Sequence, residues 1–141
     1  MIDHLTFIFY LNIFLVSNIG YGILFSNFFY KNFHSLNYGY LGIIGFFLIT
    51  IIAYITSFFT AHNFLHNSIL HFVGLSFFII NFLKDINKNL LHVKKLYIIT
   101  FILLIGVYVF KNHDDFAYYH LTYALNLSEN KLIIGTGLFS H

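Results

Sequence analysis

Cysteine, proline and tryptophan are absent from the 141 residues, methionine occurs once, and only 9% of positions are charged. Without cysteine there is no disulfide frame, no thiolate nucleophile and no Cys-ligated metal. No proline, no internal repeat and no Gly/Ser linker marks a second folded domain. A water-soluble domain carries about 25% charged residues, so this chain cannot cover a globular surface with polar groups. That excludes an ordinary soluble enzyme, a disordered tail and a nucleic-acid binder. The basic residues are all lysine and the formal net charge is +2, too little for an electrostatic footprint on phosphates. What the chain has instead is 59% hydrophobic residues and a mean hydropathy of +0.80. Those values describe an integral membrane protein, with the lipid bilayer as its first partner.

A spanning helix needs about 17–25 mostly apolar residues. The runs 5–29 and 40–61 supply two such lengths, while 68–83 and 96–110 are shorter. Lys94, Lys95 and Lys111 can snorkel and lengthen the last of these. The expected fold is therefore all-α: a polytopic bundle of about four transmembrane helices within 1–111, followed by a segment 112–141. A closed barrel would need alternating ten-residue strands, which these runs do not contain. The first run is no signal peptide, because Met1-Ile2-Asp3-His4 offers no basic start and no small-residue cleavage site follows.

Orientation follows from the lysines. Lys84, Lys88, Lys94 and Lys95 crowd the segment 84–95, and Lys31 lies in 30–39. Placing both segments inside leaves Lys111 and Lys131, with Asp3, Asp114, Asp115 and Glu129, on the outer side. The expected location is a bacterial inner (plasma) membrane, with 112–141 extracytoplasmic.

Helices in lipid associate by close packing and polar contacts. Ala53, Ser57 and Ala61, with Thr50 beside them, predict a small-residue seam on the second span; Gly39, Gly42 and Gly45 enter that helix on a drifting stripe, and Asn12, Ser17, Asn18, Gly20 and Gly22 on the first span read likewise as helix–helix packing residues. His62 and His66 lie four apart, the spacing of a helical metal pair. No third ligand is close to them, so they are expected as interfacial histidines at a hairpin tip rather than a metal site. His71, deeper in the third span, is expected to hydrogen-bond between helices.

The composition changes after Phe110. Phe116, Tyr119, Tyr123, Ala124 and Leu127 recur at helical spacing, which predicts an amphipathic helix over about 115–127 lying along the outer interface. Asp114 or Asp115 falls at its start, where free N–H groups and the helix dipole favour a carboxylate. One reading makes these residues a helix cap and a solvated neighbour. The other makes them a carboxylate pair flanked by His113 and His120, able to act as a general base or to hold a divalent metal through oxygen. Gly135-Thr136-Gly137 reads as a turn, and Asn126-Leu127-Ser128 fits a glycosylation sequon.

An acidic residue directly after a span, opening an interfacial helix with tyrosines, resembles the first outer loop of GT-C glycosyltransferases. The stretch 114–120 followed by 135–141 is also similar to uncharacterised bacterial multi-pass proteins of that type. The resemblance implies a polyprenyl-phosphate sugar donor, Asp114 and Asp115 as catalytic residues, and His113, Tyr118 and His120 as substrate contacts. GT-C loops follow the first span and are followed by many more, whereas this one follows the fourth. On that reading the chain is the N-terminal region of a longer glycosyltransferase, inactive until C-terminal spans or a partner subunit complete it. The alternative is a non-catalytic multi-pass subunit or scaffold.

Overall fold

The computed structural model describes residues 4–29, 37–109, 118 and 120–133. Five helices make up the described residues: α1 (His4–Phe29), α2 (Tyr38–Ser57), α3 (Phe64–Lys84), α4 (Ile86–Val109) and α5 (Leu121–Glu129). The fold is all-α as expected. α1, α2, α3 and the 89–106 stretch of α4 are each long and apolar enough to cross a membrane. This is the architecture of a multi-pass membrane protein.

The helix bounds differ from the sequence reading, and polar side chains account for each difference. α2 stops at Ser57 rather than 61, because Thr56 and Ser57 turn their hydroxyls back onto the Ala53 and Tyr54 carbonyls. The chain then tightens, with the N–H groups of Phe59 and Thr60 both donating to the Thr56 carbonyl at 3.0 Å. α3 begins at Phe64 rather than 68, since Asn63 caps it by accepting the His66 N–H on Oδ1 at 3.0 Å. The segment 84–95, expected as a lysine-rich loop, is almost entirely helix. Only Asp85 separates α3 from α4. Asn89 makes so short a turn possible: its buried Nδ2 donates to the Asn81 carbonyl at 3.0 Å and to the Phe82 carbonyl at 3.3 Å. These are end-of-helix acceptors that would otherwise lack partners. Lys84 in the last turn of α3 complements the same helix end.

The described residues form two compact units. The first holds α1, α2 up to Ile49, α3 from Leu70, and α4. α1 is its axis, buried on all sides from Ser17 to Ile23. Ile19, Ile23, Tyr38 and Leu41 make the core, with Phe78, Val93 and Leu96 packed on it. Backbones meet where side chains are absent. A Cβ on Gly20 would strike the Gly74 carbonyl, one on Gly22 the Leu41 carbonyl, and one on Gly45 the Asn18 carbonyl. The close seam thus runs through Gly20, Gly22 and Gly45, which the sequence offered as packing residues, and through Gly74, which it did not; Ser57 of the expected second-span seam is buried. Ala53 is half-buried and Ala61 lies beyond the end of α2. His71 does hydrogen-bond between helices, its Nδ1 lying 3.2 Å from Ser17 Oγ. Tyr21 donates its hydroxyl to the Leu70 carbonyl at 2.8 Å.

The second unit holds α2 from Thr50, the turn 58–63, the start of α3 to Ile69, and α5 with its flanks.

Candidate functional site

The second unit gathers most of the interfacial polar residues that the sequence singled out. Its frame is two backbone hydrogen bonds. The His62 N–H donates to the Leu127 carbonyl at 2.8 Å, and the Leu132 N–H donates to the Ser57 carbonyl at 2.7 Å. The tail helix is thereby tied to the turn between α2 and α3.

Within this frame His62 and His66 stack, with ring centroids 4.5 Å apart and an interplanar angle of 18°. Both ring nitrogens of His66 face oxygen, Nε2 at 3.0 Å from Thr56 Oγ1 and Nδ1 at 3.4 Å from Asn67 Oδ1. Asn67 is held in turn by donating Nδ2 to the His62 carbonyl at 2.8 Å. His62 is different: its Nε2 is buried with no hydrogen-bond partner. Burial pushes the His62 imidazole below its ordinary pKa, His66 pushes it the same way, and a hydrogen bond with the Ala53 backbone opposes them. Among the described residues no three metal-ligating side chains converge. Parallel stacked rings do not aim two nitrogen lone pairs at one point either.

Of the residues expected to carry chemistry, His113, Asp114 and Asp115 lie outside the described residues. Tyr118 and His120 are described and both are exposed. α5 itself runs from Leu121 to Glu129, so it extends two residues past the predicted end at 127. At its entry His120 already has helical backbone angles (φ −72°, ψ −43°) and its side chain makes no capping hydrogen bond. Its end is fixed by Asn130, whose N–H donates to the Asn126 carbonyl and whose Nδ2 donates to Asn126 Oδ1 at 3.0 Å. Beside this end lies a cavity of about 260 Å³ lined by Tyr123, Asn126, Asn130, Lys131 and Ile133 among others, with Lys131 its cation.

Sequence reasoning paired His62 with His66 but missed Thr56, Asn67 and Leu127 as their partners. The Asn63-to-His66 spacing, typical of a helix start, was the available signal for where α3 begins. Nothing in the sequence pointed to Leu127, because its contribution is a carbonyl. No family model, curated protein or solved structure matches the chain.

Proposed function

We propose that the chain is a non-catalytic multi-pass membrane subunit, a helical scaffold whose bundle is completed by helices of a partner. The observation that carries this reading is the poor packing of α4. In its most apolar stretch 6% of positions are buried, against 39% in α1. A groove of about 580 Å³, lined by Ile8, Leu11, Asn12, Lys94, Tyr97 and Phe101 among others, separates the two helices. Among the described residues Gly106 has nothing within 4 Å of where a Cβ would stand. Lipid tails are as apolar as leucine, so a helix is held in a bundle by close packing and polar contacts, and α4 has few of either. Nitroxide labels along 99–106 test this. In the native assembly one face of α4 should lose contact with lipid-dissolved oxygen that it has when the chain is reconstituted alone. Identical accessibility in both settings would remove the reading.

A second reading is favoured by the cavity beside Lys131. A cation and polar side chains at the interfacial helix suit a phosphate group, and the segment with Asp114 and Asp115 leads into that helix. This supports the membrane region of a polyprenol-dependent glycosyltransferase, with a sugar carried on a polyprenyl-phosphate and Asp114 or Asp115 as base or metal contact. Transfer of labelled sugar from a polyprenyl-phosphate donor by membranes containing the assembled protein tests it. No transfer above background removes it.

A further inference from the structure

We propose that the His62–His66 stack is a pH-sensitive latch, which holds α5 on the α2–α3 turn while the His62 imidazole is neutral and lets it go when that ring takes up a proton. The argument starts from where a second positive charge would sit. His66 accommodates a proton on either nitrogen, because Thr56 Oγ1 and Asn67 Oδ1 face them at 3.0 and 3.4 Å. His62 has less provision: a hydrogen bond with the Ala53 backbone serves its ring, but Nε2 is buried with no hydrogen-bond partner. A charged His62 would also lie over His66 at 4.5 Å and one residue before the Asn63 cap of α3, where the helix dipole opposes cations. These effects together outweigh the Ala53 hydrogen bond, so His62 is held against carrying charge in the stack, and they are relieved if the ring swings out.

The ring's stack on His66 and its hydrogen bond with the Ala53 backbone anchor the residue whose main chain carries the tie to α5. His62 is the residue whose N–H binds the Leu127 carbonyl, and its own carbonyl holds the Asn67 side chain. Ejecting the imidazole therefore loosens the contact that ties α5 to the turn. The other charged groups on the segment that His62 contacts are Glu129 and Lys131, two and four residues past Leu127, both exposed. His120 at the entry of α5 is also exposed, and the described end of α2 from Thr50 to Ser57 carries no charged residue.

The direction follows from linkage. Burial and then His66 lower the docked His62 pKa, whereas a released His62 has the ordinary value of about 6.5. The docked state thus binds fewer protons. Its docking is at full strength above about 6.5 and weakens as pH falls from there toward the lowered value.

The chain has no cysteine, so spin labels can be placed at will. In the full chain reconstituted in phosphatidylcholine vesicles, nitroxides at Phe59→Cys and Ser128→Cys report the distance between turn and tail by pulsed electron resonance. At about pH 8 one narrow distance is expected. At about pH 5.5, below the ordinary imidazole range and above that of carboxylates, a longer and broader population should appear and should reverse on return. The same pair with His62→Gln or His66→Gln should keep the narrow distance at both pH values. An unchanged distribution in the parent chain overturns the latch, and so does pH-driven separation retained in both variants. If both variants are undocked at about pH 8, the stack is a structural contact rather than a titrating one, and the proposal also falls.

Discussion

The main-chain N–H of His62 donates to the carbonyl of Leu127 at 2.8 Å, joining the turn between α2 and α3 to the tail helix. Sixty-five positions of chain, two membrane-spanning helices among them, separate the partners. A contact across that separation restricts the topology: whatever face of the membrane holds Phe59 also holds Ser128.

Labelling tests this with an impermeant maleimide in sealed vesicles. Single cysteines at Phe59 and Ser128 should react from one and the same side, and a cysteine at Asp85 should react from the other. The lysines predict that the Asp85 side is cytoplasmic, each contributing about 1 kcal/mol near an anionic surface. Opposite labelling of Phe59 and Ser128 would contradict the four-span arrangement itself.

The glycine seam gives a graded prediction. Gly20→Ala and Gly45→Ala each place a Cβ against a neighbouring helix's carbonyl, and backbone yields less readily than a side chain. Each should cost about 1–3 kcal/mol of stability, the range for overpacked interiors. Gly106→Ala meets nothing among the described residues and should be neutral or gain up to about 1 kcal/mol from helix propensity. Unfolding in detergent mixtures measures all three. Equal losses would show that the seam is not where these helices make their close contact.

His71 and Ser17 supply a polar contact between α3 and α1. A double-mutant cycle with His71→Ala and Ser17→Ala should give a coupling of about 0.6 kcal/mol, the average for membrane interhelical hydrogen bonds. A coupling indistinguishable from zero would mean that the 3.2 Å approach contributes nothing.

Asp114→Asn and Asp115→Asn separate the two functional readings. Asparagine caps a helix about as well as aspartate, so both variants should accumulate as folded membrane protein. The scaffold reading expects the assembly to keep its composition and activity. The glycosyltransferase reading expects loss of sugar transfer at unchanged protein level.

The fold was largely legible because hydropathy alone dictates it: lipid requires every backbone group to be satisfied internally, so long apolar runs become helices. Helix ends were less legible. They depend on single polar side chains that meet free backbone groups, such as Asn89 donating to the Asn81 carbonyl and Asn63 accepting the His66 N–H, and periodicity does not reveal those. The seam was legible in part: Gly20, Gly22 and Gly45 stood out as small residues on their spans. Gly74 was missed, because which residue lies opposite Gly20 depends on the neighbouring helix, and no single helix's sequence contains that information. At the second unit His62 and His66 stood out by spacing, whereas their anchor to the tail is a main-chain bond and leaves no trace in residue type.

The central claim is that α4 presents a face for a partner's helices. A photo-crosslinking residue at Ile99 or Leu103, both exposed, tests it most directly in the membrane where the chain normally resides. The account predicts one discrete adduct of higher mass from these positions and none from buried Ile19. Lipid adducts alone at every position along α4 would contradict it.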